Sequence, residues 1–516
     1  METRTKKSFL NIGSNFVKLL LKTIFSFASR TVFIYTLGKE ALGLNGLFTN
    51  ILSMLSLAEL GVGTAINFSL YKPLAHNDMN RVSILMSFYK KAYRIIGIII
   101  MIVGIILIPF LPLFINNINE LNDIYIIYVL YLISTASTYF ISYKETLIDA
   151  DQKKYKLFAI ENISLIVLNT AQICLLFFFK NYIMYLVAQI IIQFLQRIIT
   201  NIYIGKEYKN VNFNNKEKLQ LEDKKTITKN VKAMFFHKIG DYCINGTDNL
   251  IISAFVSINT VGVYSNYLII ITLLNSFTYM LYNSLVASLG NFVVTETNER
   301  KDEIFRKMNF ISFIIFGFCS LVLLNIFNDF IALWIGVDYC FDYIVVVFIV
   351  INFYLTGLRV SPATMKSAAG LYDVDKYTPL IQSAINLMVS IVLVKYIGVL
   401  GVIIGTTVSS LVIPNWQRPY LVYKYIIKKS SKGYFSELIK FTIILLVCSL
   451  VTLKINSLII INSLIIKILI KGFISSVLFI IVCILVYRKK DEYKYVVNTM
   501  KNIIKKIFKR KRLRNV

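Results

Sequence analysis

Four polar residues recur at every fourth position of one apolar stretch: Lys18, Lys22, Ser26 and Arg30. Each step of four turns an α-helix by about 40° beyond one full turn, so the side chains form one drifting stripe. The stretch, from about 14 to 36, is long enough to cross a bilayer, where cations are costly and mark a pathway or a water-filled space. Lys18 and Arg30 lie within about 6 and 9 Å of the span ends and could snorkel. Lys22, about 12 Å in, is predicted to line a cavity.

A second polar stripe with the same spacing lies further along the chain, and it consists of His237, Asp241, Asn245 and Asn249, with Asp248 adjoining. One stripe is cationic and the other is largely acidic or amidic. They therefore predict a cavity with one positive and one negative wall. A purely structural Lys22–Asp241 salt bridge is the alternative, and the spacing does not decide between the two.

Four further charged residues fall in or beside predicted spans: Glu59, Arg359, Lys366 and Arg418. Glu59 lies deep, beside Gly61 and Gly63, which permit close packing or a local break of the helix. It is either a proton or ion site or a carboxylate satisfied by a neighbouring helix. The other three lie near cytoplasmic span ends, where they either anchor the helix or contact a lipid headgroup.

Composition indicates an integral membrane protein. Of the 516 residues, 56% are hydrophobic and 16% charged, and the mean hydropathy is +0.65. A soluble domain has about a quarter of its residues charged. The net charge of +28 comes from lysines and arginines in short loops between apolar runs, which is typical of the inner face of a membrane protein and not of a nucleic-acid-binding domain.

Fourteen spans of about 20 or more mostly apolar residues are predicted, and both termini are expected to be cytoplasmic. They lie near 14–36, 41–71, 89–115, 122–143, 157–179, 182–204, 233–257, 261–294, 308–334, 341–362, 378–397, 399–423, 438–453 and 468–487. Only six of the 56 lysines and arginines lie in or beside outside segments, namely Lys39, Lys180, Lys395, Lys454, Lys467 and Lys471. This asymmetry fixes the orientation.

An internal repeat relates the two halves of the chain, since a shift of about 219 residues lays spans one to six over spans seven to twelve. The same shift lays the first polar stripe on the second, and EALGLNGLF (Glu40–Phe48) on NTVGVYSNY (Asn259–Tyr267), with Gly43 on Gly262. An even number of spans per half predicts a parallel repeat about an axis along the membrane normal. The expected organisation is a six-helix lobe at 1–204, a cytoplasmic linker at 205–232, a second lobe at 233–425, two additional helices at 426–487 and a basic cytoplasmic tail at 488–516.

Catalytic and metal-site patterns are not found in the sequence. The six cysteines are scattered, with no close Cys/His spacing, so neither a disulfide framework nor a metal site is expected. The sequence has no Walker A loop, Rossmann fingerprint, HExxH motif or nucleophile elbow, and no sizeable soluble domain. We therefore expect no enzyme activity and no cofactor.

Four stretches resemble the bacterial polysaccharide repeat-unit flippases, the Wzx-type members of the MATE-like (MOP) superfamily. They are LGLNGLFTNILSMLSLAELGVGTAINFSLYKPLA (Leu42–Ala75), LIDADQKKY (Leu147–Tyr155), GTDNLIISAFVSINTVGVYSNY (Gly246–Tyr267) and YTPLIQSAINLMVSIVLV (Tyr377–Val394). The resemblance implies two six-helix lobes in the bacterial cytoplasmic membrane. It also implies transfer of undecaprenyl-diphosphate-linked oligosaccharide from the inner to the outer leaflet, with a polysaccharide polymerase and glycosyltransferases as partners.

Under that resemblance, the cations Lys22, Arg30 and Lys18 would bind the diphosphate headgroup. The acidic stripe would bind a coupling proton or sodium ion, or would hold the cations until substrate arrives. Three alternatives stay open: a MATE-like drug/cation antiporter, a flippase for a peptidoglycan or teichoic-acid precursor, and a polysaccharide polymerase. The cationic first helix and the two additional spans argue against the antiporter, and the short outside loops argue against the polymerase.

Overall fold

A computed structural model describes residues 4–59, 62–115, 123–219, 246–371 and 373–499, together with Leu221, 223–225, Ile227, Thr228, Val231, Ile239, Tyr242, Lys501 and Lys505. Within these residues the secondary structure is helical, and no strand is present. The expectation of an all-α integral membrane protein is confirmed. The helices are α1 Arg4–Leu55, α2 Val62–Ala75, α3 Met79–Leu107, α4 Ile124–Ile141, α5 Glu145–Ala150, α6 Phe158–Phe179, α7 Tyr182–Glu207, α8 Thr247–Phe255, α9 Ile258–Thr295, α10 Asn298–Ile335, α11 Tyr343–Ala368, α12 Thr378–Ile397, α13 Val399–Val412, α14 Pro414–Leu421, α15 Lys432–Ser457 and α16 Leu464–Tyr487.

Eleven helical segments of the described chain are long and apolar enough to cross a membrane. They correspond one to one to predicted spans three to six and eight to fourteen, and the uncertain last two spans are α15 and α16. Predicted spans one and two lie in α1 and α2. Of predicted span seven, Ile239, Tyr242 and residues 246–257 are described, and α8 lies in its second half.

One break separates the first two predicted spans, and a second interrupts span two. Gly38, with φ 79° and ψ −170°, separates α1 into two helical segments. This backbone conformation is readily adopted only by glycine. After Leu55 the chain continues as a short 3₁₀ turn, Ser56–Glu59, before α2 begins at Val62. Glu59 therefore lies at an interruption of the helix in predicted span two, which is one of the two possibilities that its neighbouring glycines left open.

The internal repeat is visible in the helix boundaries. Helix α3 begins at Met79 and α10 at Asn298, while α4 begins at Ile124 and α11 at Tyr343. Both pairs of positions are separated by the offset that the sequence predicts. Loop lengths and span lengths thus keep the same register in the two parts of the sequence. The assignment of lobe boundaries at 204 and 233 stays a prediction.

A reciprocal glycine contact relates the two repeats. A Cβ on Gly43 would lie 2.0 Å from the Ile258 carbonyl oxygen, and a Cβ on Gly262 would lie 2.4 Å from the Lys39 carbonyl oxygen. Gly43 and Gly262 are equivalent positions of the repeat, and so are Lys39 and Ile258. The contact of Gly43 with Ile258 is therefore the repeat equivalent of the contact of Gly262 with Lys39. Such paired contacts are what a two-fold relation between the repeats requires.

The chain forms two compact units, Met1–Leu268 with Lys376–Val402, and Ile269–Asp375 with Ile403–Val516. The first has a buried cluster built on α2, α3, α5 and α7, with Val211 and Ile227 of the linker segment packed into it. The second has an aromatic core on α10, α11, α15 and α16, in which the Phe313 and Phe441 rings stack 4.3 Å apart.

The two additional helices are fastened to α10 by polar contacts inside the second unit. Asn325 donates to the Thr452 hydroxyl at 3.0 Å and accepts from the Asn456 amide at 2.6 Å. Asp329 pairs with Lys471 at 2.7 Å and with Lys467 at 3.0 Å. Satisfied polar groups of this kind fix the mutual orientation of apolar helices.

Candidate functional site

The stripe on α1 separates into three different environments. Lys18 forms an ion pair with Glu161 of α6, a helix that packs along α1. Arg30 is partly buried and binds α9. Lys22, between them, is exposed and makes no hydrogen bond or ion pair within the described part of the chain. One sequence pattern thus contains a paired cation, a hydrogen-bonded cation and one without a partner among the described residues.

Arg30 is held by neutral oxygen atoms. Its Nε and Nη2 atoms donate to Asn266 Oδ1 at 3.2 and 3.1 Å, and Nη2 also donates to the Ser265 hydroxyl. Asn266 is fully buried, and the Ser265 hydroxyl donates to the Gly262 carbonyl at 2.7 Å. The Gly43–Gly262 crossing brings α9 close enough to α1 for this contact. Arg30 therefore keeps its positive charge without a carboxylate among the described residues.

Aromatic side chains support the same region of the first unit. Phe33, one turn after Arg30, packs edge-to-face against Tyr182 and Tyr185 at ring-centroid distances of 5.2 and 5.3 Å. The Tyr182 hydroxyl lies 3.1 Å from that of Tyr131. These contacts pack the part of α1 next to Arg30 against the tyrosines of α4 and α7.

Lys22 lies on the side of α1 opposite to its exposed apolar side chains. Leu20 and Ile24 are exposed apolar residues, and each is two positions from Lys22, or about 160° round the helix. Ser29, on the same side as Lys22, is only 5% exposed. Lys22 therefore faces an accessible space on the otherwise packed side of the helix.

Part of the predicted acidic stripe lies outside the described residues, namely His237, Asp241 and Asn245. Asp248 and Asn249 are described, and both are buried at the start of α8, which packs against α1 and α12. The Asn249 Oδ1 atom is buried and has no hydrogen-bond partner in the described structure. Whether Asp241 pairs with Lys22 stays a prediction.

Glu59 is surrounded by tyrosines. The Tyr93 hydroxyl donates to Glu59 Oε1 at 2.8 Å, the Tyr89 and Tyr93 rings lie 4.2 Å apart, and Thr146 donates to the Tyr89 hydroxyl at 3.1 Å. A Cβ on Gly63 would lie 2.6 Å from Glu59 Oε1 and under 3 Å from both tyrosine hydroxyls. The missing side chain of Gly63 thus leaves room for this hydrogen-bond network.

The three cations predicted to lie near cytoplasmic span ends differ in accessibility. Lys366 is buried and forms an ion pair with Asp375, so its ammonium group is engaged within the second unit. Arg359 donates to the Thr356 hydroxyl at 2.9 Å. Arg418 lies on α14, and its Nε atom is buried with no partner among the described residues.

Sequence reasoning did not identify several of these partners. Glu161, Ser265 and Asn266 were not singled out, because each lies far along the chain from the cation that it contacts. The tyrosines around Glu59 looked like ordinary apolar span residues. The four-residue spacing of Tyr89 and Tyr93 on α3 is the signal that could have indicated a shared face.

No protein-family model and no curated protein match the sequence. Solved structures do match its fold. The inward-closed lipid II flippase MurJ is 14% identical with a TM-score of 0.63, and the match covers 91% of this chain and 99% of that chain. An inward-facing multidrug-resistance MATE-family transporter of the MOP superfamily is 15% identical with a TM-score of 0.62, and covers 80% and 96%. A MOP-superfamily transporter from Pyrococcus furiosus is 13% identical with a TM-score of 0.55, and covers 82% and 97%. The chain is thus an all-helical, multi-pass membrane protein with the fold of MOP-superfamily transporters.

Proposed function

We propose that the protein is a flippase that moves undecaprenyl-diphosphate-linked oligosaccharide from the inner to the outer leaflet of the bacterial cytoplasmic membrane. The diphosphate headgroup would cross beside α1 while the polyprenyl tail stays in the bilayer. Alternating access, with both termini cytoplasmic, is part of the proposal. Glycosyltransferases would act on the same lipid before transfer, and a polysaccharide polymerase would act on it afterwards.

The observation that carries this proposal is the state of Lys22. It is a cation within predicted span one, is exposed on the packed side of α1, and has no partner in the described structure. An ammonium group in such a place needs water or an anion to compensate for its lost hydration. A phosphate group supplies the anion, and lysine binds phosphate as a point charge.

Arg30 adds a second positive charge to the same stripe. Because its present partners are neutral, a diphosphate would not have to displace a carboxylate from the guanidinium. Lys18 differs, since Glu161 already compensates for its charge. Within the proposal, Lys22 and Arg30 bind the headgroup and Lys18 positions α1 against α6.

The fold comparisons support a lipid substrate. The match to the lipid II flippase covers 91% of the chain, against 80% for the MATE-family transporter. The sequence also contains the two additional helices α15 and α16, for which a twelve-span antiporter has no counterpart. A peptidoglycan or teichoic-acid precursor would fit the same cationic stripe.

Coupling to a proton or a sodium ion completes the proposal, with no other cofactor. The described carboxylates suited to this role are Glu59, in its tyrosine network, and Asp248, buried on α8. A carboxylate whose environment changes between two conformations can bind a cation in one and release it in the other.

Reconstitution tests the proposal. Purified protein in liposomes would be supplied with undecaprenyl-diphosphate bearing one fluorescent sugar, and a membrane-impermeant quencher would report the lipid exposed on the outer side. We expect protein-dependent exposure of the inner pool. Transport of ethidium without movement of the lipid would instead indicate a drug/cation antiporter, and movement of neither would refute the proposal.

A further inference from the structure

An open cleft of about 1390 Å³ lies at one end of the first unit. It is bounded by the end of α2, the turn before α3, the loop after α5 and the end of α7. In the predicted topology all of these ends are cytoplasmic. Its charged lining residues are Asp151, Lys153, Lys156, Lys206, Glu207 and Lys209.

Both carboxylates of the cleft are already neutralised. Asp151 accepts from the Tyr208 hydroxyl at 2.8 Å and pairs with Lys153 at 2.7 Å. Glu207 pairs with Lys156 at 2.5 Å and with Lys153 at 3.5 Å. Burial opposes the charged form of Lys153, but its contacts with Asp151 and Glu207 raise its pKa above the usual value, so it stays charged.

Two cations of the cleft have no such compensation. Lys206 and Lys209 are exposed, and neither makes a hydrogen bond or ion pair in the described part of the chain. With four lysines and two carboxylates, the cleft carries an excess of two positive charges. The segment that contains both lysines is held in place, because Lys153 lies over the ring of the intervening Tyr208 at 5.3 Å.

The uncharged part of the wall is mixed: Leu74, Met79 and Val211 are apolar, while Asn77 and Gln152 are polar. Such a combination of lysines and apolar surface at the ends of membrane spans is suited to a lipid, whose phosphate meets the cations and whose glycerol and first methylene groups meet the apolar wall. A soluble anion would use only the lysines.

We propose that this cleft binds the headgroup of an anionic phospholipid of the cytoplasmic leaflet, with Lys206 and Lys209 contacting its phosphate. The site is distinct from the stripe on α1 and does not depend on which lipid the protein moves. A bound headgroup would bridge α7, α2 and the loop after α5, and so hold this end of the first unit against the membrane surface.

Cardiolipin is a suitable probe, because it carries two phosphates. The full-length protein in detergent would be titrated with cardiolipin and, separately, with zwitterionic phosphatidylcholine, and bound lipid would be counted by native mass spectrometry. The test variant is K206Q/K209Q. The control is K224Q/K225Q, which removes the same charge from two exposed lysines outside the cleft.

We expect cardiolipin to bind the control as it binds the wild type, and the K206Q/K209Q variant about 30-fold more weakly, since each lysine near a membrane surface contributes about fivefold. Unchanged binding in K206Q/K209Q would refute the site. An equal loss in both variants would show only a general charge effect and would overturn the assignment to these two lysines. Full displacement of cardiolipin by an equimolar amount of inorganic pyrophosphate would indicate a soluble-anion site and overturn the lipid assignment.

Discussion

Replacing Lys22 by alanine isolates the charge that the proposed mechanism needs. Lys22 is exposed and unpartnered in the described structure, so its removal leaves no buried group uncompensated. Exposed substitutions away from such contacts change stability by about 0.5 kcal/mol or less. The variant should therefore fold and insert as the wild type does, and its defect should lie in transport.

The size of that defect follows from the lost contact. A hydrogen bond to a charged group contributes about 1.5–3 kcal/mol, and 1.4 kcal/mol corresponds to tenfold. Lys22→Ala should raise the lipid concentration needed for half-maximal flipping, or lower the flipping rate, by about 10- to 100-fold. Lys22→Arg keeps a cation at the position and should retain most of the activity.

The assay is the liposome quenching experiment, run over a range of labelled lipid and normalised to the amount of folded protein. Lys18→Ala is the matched control. It removes a lysine charge one turn away from Lys22, and that charge is already compensated by Glu161. Its effect on half-saturation should be smaller. Wild-type flipping by Lys22→Ala, or equal defects in both alanine variants, would refute the assignment of Lys22 to the headgroup.

Three further substitutions test the supporting structure. Gly43→Ala places a Cβ 2.0 Å from a backbone carbonyl oxygen, so it should lower the melting temperature and yield of the purified protein. The control Gly472→Ala, whose Cβ would have nothing within 4 Å, should lower neither. Equal thermal melting curves for the two variants would contradict the close helix crossing. Gly63→Ala should push the Glu59 carboxylate out of its tyrosine network and reduce proton- or sodium-driven transport, with little change in the melting temperature; retained coupling would exclude Glu59. Lys366→Met leaves the buried Asp375 carboxylate without its partner, so it should lower the free energy of unfolding by about 3–5 kcal/mol in reversible unfolding. A decrease below about 1 kcal/mol would show that the pair is not buried in solution.

Periodicity was sufficient to predict most of the architecture. Helix length and apolarity identified the eleven described spans, since the bilayer requires long helices with internally satisfied backbones. The repeat matched Gly43 with Gly262, and the structure shows why glycine is required at both positions: each lies against the other repeat's backbone. A local steric constraint of this kind is directly visible in the sequence.

The partners of the charged side chains could not be predicted in the same way. Arg30 contacts Asn266, 236 residues away, and Lys18 contacts Glu161, 143 residues away. Such pairings depend on which helices pack together, and neither composition nor spacing encodes that. The cleft at the end of the first unit has the same origin. Two of its lysines follow α5 and the other two lie at the end of α7 or just after it, and only the packing of α2, α5 and α7 brings them together.

The charge balance of the α1 stripe is the feature on which the choice between the two proposed transporter classes rests. Glu161 cancels Lys18, whereas Lys22 has no partner and Arg30 has only neutral ones within the described structure. Two positive charges without an acidic partner among the described residues would repel a cationic drug and attract a ligand with two negative charges, and the low dielectric of a membrane span would strengthen both effects. A diphosphate ester matches that charge and can contact both side chains, which lie about 12 Å apart along the helix axis and are both long and flexible. The same balance explains why Lys22→Ala should be the more specific test: it changes the charge that the ligand meets and leaves every described contact of α1 in place.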